Sequence, residues 1–519
     1  MLRSTRLFVL AAITCSYLLV LPASAQQATP EALAGLDAYV EAGMKEWQLP
    51  GLAIAVVKDG KVVYSRGFGV RETGKSEPVT ERTLFAMASN SKAFTATALG
   101  MLVDEKRLRW DDKVCDKLPE FQLADAAATR ALTVRDLLCH RVGLGTWQGD
   151  LIWYGSDRSI PEVLERVKFL KPDYEFRDRY AYCNLTFLAA GELLKRVSGD
   201  SWNTFVERRL FGPIGMNRSS TSIRALEGQE DVARPHTLVD GKVAAIPYRN
   251  LDNCGPAGGI NSCVRDWARW MMMQLDDGEI EGSRVVPASV IRETHAPQNL
   301  VRPTSPVQRE LFPSSHFFAY GLGWFMQDYL GRMVLSHGGG MDGMLSLTVL
   351  VPEEKLGVVV LSNYDEQQFY RALPFRVVDA FLKAEPRRDW SAELMKRHRD
   401  NEAKEKEAEA KKTAETSTTP RPPLELSRYC GTYRSPALGV ATVALKDGKL
   451  HIEVERNTAL RGELKPKDGD LFEAHWSDVF FKTSPVPFRL DAAGSPVELR
   501  FAVRPDFVDP EIYVFTRAR

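Results

Sequence analysis

The chain has 519 residues, 44% of them hydrophobic, and its 68 Lys and Arg are matched by 68 Asp and Glu. That length is enough for two or three domains with cores of their own. The balanced charge gives no general attraction to nucleic acid or anionic lipid, so no nucleic-acid partner is expected.

At the start of the chain, Arg3 and Arg6 precede an apolar run from Leu7 to Leu21, and Ala23-Ser24-Ala25 offers a small-residue cleavage site. Residues 1–25 therefore read as an export signal, with the mature chain expected to begin at Gln26 in the periplasm or outside the cell. An uncleaved anchor helix is the alternative, although the run is short for a span of about 20 residues. A lipoprotein reading through Cys15 is weak, because Thr14 is a poor neighbour for a lipidated cysteine. No other run is long enough to cross a membrane. Without Cys15, six of the seven cysteines remain, in a compartment that permits disulfides. Cys254 and Cys263 bracket Gly255-Pro256-Ala257-Gly258-Gly259 and are the nearest candidates for a local bridge. Cys183 reads as a small buried residue.

Leu52 to Val57, the turn Lys58-Asp59-Gly60-Lys61 and Val62-Val63-Tyr64 predict a β-hairpin. From Ser89 the apolar spacing becomes helical and runs to Asp104-Glu105-Lys106. Helical patterns follow at Val134 to Leu138, Leu185 to Val197, Trp202 to Leu210 and Val264 to Leu275. Strand patterns return at Arg332 to Ser336, Met344 to Val351 and Leu356 to Leu361. The expectation is an α+β fold over residues 26–385, in which an antiparallel sheet built from both ends of the domain is flanked by helices and carries a mostly helical insertion.

Composition changes near Ala384. Asp389 to Lys412 is dense in Glu, Lys, Arg and Ala and reads as a solvated helix, and Thr413 to Pro423 reads as an extended linker. Short alternating segments follow at Val440 to Leu445, Leu450 to Val454, Phe488 to Leu490, Val497 to Val503 and Ile512 to Phe515. They predict a small all-β barrel or sandwich over residues 424–519.

The chemistry centres on Ser89-Asn90-Ser91-Lys92. No other serine in the chain has a lysine three positions on. Chance alone would place roughly one or two such pairs in a chain this long, so the surrounding motifs must decide. A serine hydroxyl needs a group to take its proton, and a lysine of ordinary pKa, about 10.4, is itself protonated at neutral pH. On a helix, Ser89 and Lys92 share one face, and burial beside apolar neighbours such as Phe85 and Phe94 would neutralise the amine. The Ser89 N–H, at a helix start, could face developing negative charge. Read alone, the pair would more often be an N-cap and a surface lysine.

Ser89-x-x-Lys92, Tyr182-Cys183-Asn184 and His337-Gly338-Gly339, in that order, resemble the serine penicillin-recognising hydrolases, especially the branch of class C β-lactamases, DD-peptidases and esterases. Leu132 to His140 with Gly143-Leu144, Phe211 to Met216, and Ala257-Gly258-Gly259-Ile260 also match, so the resemblance covers roughly residues 30 to 385. It implies an acyl-enzyme on Ser89, with Lys92 and Tyr182 exchanging protons and Asn184 holding Lys92 and a substrate amide. His337 and Gly339 would line the substrate strand, and the N–H of Gly340 would join that of Ser89 as oxyanion hole. Tyr248-Arg249-Asn250 also fits Tyr-x-Asn, but the helix expected from Leu185 favours Tyr182, leaving Tyr248 as a candidate for the cleft wall. Where the best-known members have Lys or His followed by Thr, this chain has His337 and then Gly338, which weakens recognition of a substrate carboxylate. The resemblance implies a small-molecule or peptide substrate, most readily a D-amino-acid or cell-wall-type peptide, with a small ester as alternative. A slowly acylated sensor is the non-enzymatic reading. No metal or organic cofactor is expected, because the histidines form no ligand motif. The C-terminal segment resembles lipocalin-like domains appended to some members, which implies a cap on the cleft or a route to homo-oligomers.

Overall fold

The computed structural model describes residues 30–302, 306–415, 421–503 and 509–518. The segment 1–25, expected to be an export signal, and the middle of the Thr/Pro tract lie outside the described residues. Helix α1 (Leu36–Glu46) leads into strands β1 (Gly51–Lys58) and β2 (Lys61–Gly69). The hairpin between them turns on Asp59 and Gly60, at φ 51° and 71°. Two successive positive φ values match the twist of the strands they join, which is why an Asp-Gly pair sits there.

After β2 comes the helical insertion, including α2 (Ser91–Asp104), α3 (Asn184–Ser198) and α4 (Val264–Leu275). The sheet resumes with β3 (Asn299–Leu300), β4 (Phe318–Tyr320), β5 (Phe325–Tyr329), β6 (Arg332–Met341), β7 (Met344–Val351) and β8 (Leu356–Ser362). The order is β2-β1-β8-β7-β6-β5-β4-β3, and all neighbours are antiparallel.

The apolar run in β1 has a packing cause. Ala53, Ala55 and Val57 join the core on the α2 and α4 side. Leu52, Ile54 and Val56 join the core formed with α1 and α5 (Phe369–Leu382) on the other face. A strand covered on both faces has no polar side to alternate with.

Strand β6 and one of the expected helices take a different course from the sequence expectation. Strand β6 does not stop at Ser336 but continues through His337, Gly338, Gly339 and Gly340 to Met341. The expected helix Trp202 to Leu210 is α-helical over Trp202–Val206 and continues as a π-turn over Glu207–Phe211. The charged helix α6 (Trp390–Glu415) is exposed over 399–408, as its composition requires, but it is anchored at its start. Trp390, Leu394 and Met395 are buried against α5 and α1, and Trp47 Nε1 donates to Ser391 Oγ at 3.0 Å.

The C-terminal segment is a closed barrel of eight antiparallel strands in meander order: Gly431–Ser435, Gly439–Lys446, Lys449–Val454, Arg461–Asp468, Leu471–Trp476, Thr483–Leu490, Pro496–Phe501 and Tyr513–Arg517. The first strand closes on the last through Tyr433 and Arg517. Its interior is filled by Tyr429, Tyr433, Phe472, Phe488, Phe501, Phe515 and aliphatic neighbours. The barrel docks on the segment from Gln148 to Glu162 of the insertion. Asn457 Nδ2 donates to the Leu151 and Tyr154 carbonyls at 3.2 and 2.9 Å, and Arg158, almost fully buried, donates to the Leu438 carbonyl at 2.8 Å.

Candidate active site

Ser89 sits in a 3-10 turn, Ala88–Asn90, that feeds directly into α2. Ala88 is held at φ +44°, a conformation that costs a non-glycine residue about 1–3 kcal/mol and persists only when its surroundings fix it. Here they do. Ser91 Oγ donates to the Ala88 carbonyl at 2.7 Å and accepts from the Ile260 N–H at 3.0 Å. The Met87 N–H donates to the Ile260 carbonyl at 2.8 Å. Ser346 Oγ donates to the Met87 carbonyl at 2.9 Å and accepts from Asn90 Nδ2 at the same distance. The turn therefore presents Ser89 as a partly exposed side chain between the buried Ala88 and Asn90.

Lys92, one helical turn on, has no exposed surface. Its Nζ lies 3.1 Å from Ser89 Oγ, 2.7 Å from Asn184 Oδ1 and 2.9 Å from the Ala257 carbonyl. The rings over it are those of Tyr182 and Phe187, at 4.8 and 5.4 Å. Phe94, expected to desolvate the amine, instead stacks on Trp270, 3.6 Å away, because it lies two residues from Lys92 on another face of α2. Burial pushes the Lys92 ammonium down to about 8.

That bonding pattern has a chemical consequence. A neutral amine has two N–H donors and one lone pair. The Ala257 and Asn184 oxygens can only accept, so they take both donors. The lone pair is left for the Ser89 hydroxyl.

Asn184 is fixed in turn by Asp150, whose Oδ2 accepts from Asn184 Nδ2 at 2.6 Å while Oδ1 accepts from Trp153 Nε1 at 2.9 Å. Burial pushes the Asp150 carboxyl up to about 8, opposed by the Trp153 bond and reinforced by the charge of Asp509. Sequence reading missed Asp150. It stands 34 residues from Asn184 in a short turn with no motif around it.

Tyr182 enters just before α3. It stacks on His140, with centroids 4.3 Å apart, and its backbone is held by Thr146 Oγ1 at 3.2 Å and by the Trp147 N–H at 2.8 Å. Burial raises its phenol well above the ordinary value, and a hydrogen bond with Ser89 opposes the rise. His140, the last residue of the Leu132 to His140 motif, accepts the Cys183 N–H at 3.0 Å through Nδ1 and so ties that motif to the Tyr182 to Asn184 segment. Tyr248 takes no part in this cluster. Its hydroxyl donates to the Ala233 carbonyl at 2.8 Å. It lines a surface cavity of about 1000 Å³ with Arg71 and Arg234 whose lining includes none of Ser89, Lys92 and Tyr182.

Strand β6 closes the site from the other side. Its pairing with β5 ends at Ser336 with Phe325, whereas its pairing with β7 runs on to Met341 with Met344. Among the described residues, one edge of β6 from His337 to Met341 is therefore without a neighbouring strand. The two-residue loop closes on Met341 and Met344, and ladder bonds alternate, so the N–H groups of Gly338 and Gly340 point to the open edge. Gly340 is exposed there. Gly339 answers a different need. A Cβ at this position would collide with the Met87 carbonyl and the Ser346 hydroxyl, so glycine lets β6 lie directly against the nucleophile turn.

His337 is buried, and burial, with the nearby Lys92 charge, pushes its imidazolium down to about 3. Its Nδ1 lies 2.7 Å from the Gly338 carbonyl, which can only accept, so the proton is on Nδ1 and Nε2 accepts from the Tyr320 hydroxyl at 3.0 Å. The ring is neutral and committed on both sides. Cys254 and Cys263 are both free buried thiols, so the local disulfide anticipated between them is not formed.

This fold, with Ser89, Lys92 and Tyr182 gathered beside an open strand edge, is that of the β-lactamase and penicillin-binding-like serine hydrolases. The family model described as Beta-lactamase matches residues 36–382, and the chain belongs to that family. A second model, described as a domain of unknown function (DUF3471), matches residues 415–517. The chain is 28% identical over 487 residues to Unguisins hydrolase ungD of Aspergillus violaceofuscus, covering 87% of this chain and 85% of that protein. It is 29% identical over 323 residues to Penicillin-binding protein 4 of Amycolatopsis lactamdurans, covering 61% of this chain and 82% of the other. The octameric penicillin-binding protein homologue from Pyrococcus abyssi has the same fold, with a TM-score of 0.61 at 20% identity over 93% of this chain and 100% of that one.

Proposed function

We propose that this protein is an exported serine acyl hydrolase working through Ser89, Lys92 and Tyr182. Ser89 Oγ attacks the acyl carbonyl as its proton passes to Lys92 Nζ, and the N–H groups of Ser89 and Gly340 hold the resulting oxyanion. Tyr182, hydrogen-bonded to Ser89 and under the same amine, delivers its proton to the leaving group and is reprotonated by the Lys92 ammonium, so that the proton taken from Ser89 is passed on and Lys92 is neutral again. Water then cleaves the acyl-enzyme and restores the serine. The observation that carries this reading is the triple engagement of Lys92 Nζ, which leaves one lone pair and aims it at Ser89 Oγ.

The substrate class we propose is a peptide amide of the D-amino-acid or cell-wall type. The unpaired edge of β6 at Gly338 and Gly340 supports it, since an extended peptide can add there as a strand, and so does the similarity to proteins named as a hydrolase and a penicillin-binding protein. The neutral His337, engaged by Tyr320 and the Gly338 carbonyl, offers no charge to a substrate carboxylate. It favours acyl donors without a free carboxylate and supports a small carboxylic ester as second reading.

Treatment of the mature protein with a fluorophosphonate and mass mapping of the adduct tests the mechanism. Labelling is expected on Ser89, and labelling that survives Ser89→Ala overturns it. Side-by-side hydrolysis of a D-aminoacyl anilide, a short-chain nitrophenyl ester and a cephalosporin separates the substrate readings. An adduct with a β-lactam that persists for hours without turnover of any of the three would favour a sensor.

A further inference from the structure

Two buried carboxyl groups, one from the helical insertion and one from the C-terminal barrel segment, lie behind Lys92, and the acylation mechanism uses neither directly. Asp150 is 3% exposed and Asp509, from the C-terminal barrel segment, is not exposed at all. Asp509 Oδ1 accepts from the Gly149 N–H at 3.1 Å and the Glu511 N–H at 3.0 Å. Its Oδ2 accepts from the Leu151 N–H at 2.9 Å and the Tyr513 hydroxyl at 2.7 Å. The two backbone amides that flank Asp150 are therefore both clamped by one side chain of the barrel. Beside them, Gln148 Nε2 donates to Glu511 Oε2 at 2.5 Å.

The clamped residue has a defined task. An asparagine amide can lie either way round, and only one orientation suits Lys92. With Nδ2 donating to Asp150, Oδ1 must face Lys92 and take one of its N–H groups. Reversed, Nδ2 would point at the amine and compete with Ser89 for its lone pair. Asp150 therefore decides which way Asn184 lies, and Asp509 decides where Asp150 stands.

We propose that the C-terminal barrel is a working part of the active site, in which Asp509 is a positioning residue that acts through Asp150 and Asn184 to keep the Lys92 lone pair on Ser89. A second barrel residue reaches the opposite side of the site: Arg249 bridges Asp478 of the barrel to Asp342, each at 2.6 Å, in the loop that joins β6 to β7. The barrel thus braces both the lysine side and the oxyanion-strand side. A docking module that served assembly alone would have no need of a fully buried carboxylate on the amides around Asp150.

The inference rests on the acylation reading, and a double-mutant cycle in the full-length protein tests it, with single-turnover acylation, kcat, KM and thermal melting measured for each variant. In Asp509→Asn either orientation of the new amide turns a donor toward one of the two clamped N–H groups. The expected result is a loss of roughly 10-fold in acylation rate and kcat with KM little changed, and Asp150→Asn is expected to lose about 100-fold, the scale of a misplaced catalytic group. The double variant should lose no more than Asp150→Asn alone, because both act through one path. Arg456→Ala removes the surface ion pairs of the same docking face to Asp157 and Glu162 and should leave kcat unchanged. If Asp509→Asn fails to fold, Asp509→Glu, which keeps the charge and moves it by one methylene, serves the same cycle. Wild-type kcat in Asp509→Asn, or losses that multiply in the double variant, would overturn the inference while leaving Ser89 labelling intact. Absence of Ser89 labelling in the wild-type protein would overturn the acylation reading and this inference together.

Discussion

The eight-stranded hydrolase sheet and the C-terminal barrel end differently, and the difference decides where chemistry can occur. The hydrolase sheet is open, and β6 outruns β5 by the five residues from His337 to Met341, leaving backbone donors free for a ligand. The barrel is closed strand to strand, with no free edge to offer and an aromatic interior. What the barrel contributes it must contribute from loops and strand ends, which is where Asn457, Asp478 and Asp509 lie. An open sheet supplies a site, and a closed one supplies support.

The largest expected break in that comparison is at the nucleophile. Ser89→Ala should cost on the order of 10⁴-fold or more in kcat for a nitrophenyl ester, with the melting temperature unchanged. Lys92→Met, which keeps the buried packing and removes the base, should cost about 10²–10⁴-fold.

Next is the open edge itself. Gly340→Pro deletes an outward N–H without touching the ladder to β7, a substitution that edge strands accept. It should lower kcat about 10²–10³-fold, the worth of one oxyanion donor, with unfolding midpoint little moved. Gly339→Ala sharpens the contrast. It faces the nucleophile turn, so it should destabilise the fold by about 1–3 kcal/mol through overpacking, read by denaturant unfolding.

The pH profile gives a finer measure. Below about 8 the Lys92 amine is protonated and has no lone pair, so kcat/KM should rise with pH and level off near that value. His337, held neutral down to about 3, should add no inflection between pH 5 and 9. A second inflection near pH 6 that disappears in His337→Gln would contradict the buried neutral ring.

On the barrel side the effects should be smallest. Ile512→Ser, just before the last barrel strand, or Val514→Ser within it, both exposed, should shift stability by no more than about 0.5 kcal/mol and leave activity unchanged.

That Ser89, Lys92, Tyr182 and Asn184 come together was legible in the sequence. Ser89 and Lys92 are one helical turn apart, and Tyr182 and Asn184 sit together at the start of a strongly periodic helix. The hairpin of β1 and β2 and the charged helix α6 also followed from local pattern. The strand over His337 to Met341 did not, because three consecutive glycines carry no strand propensity and are tolerated only because β7 pairs with them along their length. The barrel strands Gly431–Ser435, Arg461–Asp468 and Leu471–Trp476 were also missed. Arg461–Asp468 is mostly polar and exposed, so alternation there is faint.

By itself, the sequence determined which groups could react, because a nucleophile and its base can be set at fixed spacing on one helix. Only the tertiary structure decided what makes them reactive. The burial of Lys92, the orientation of Asn184, the reason for glycine at 339 and the clamp of Asp509 on the Leu151 N–H, 358 residues away, all depend on contacts between distant segments. Such contacts leave no periodicity in the chain, since each partner satisfies its local rules without the other, and only the packed fold brings their hydrogen bonds together.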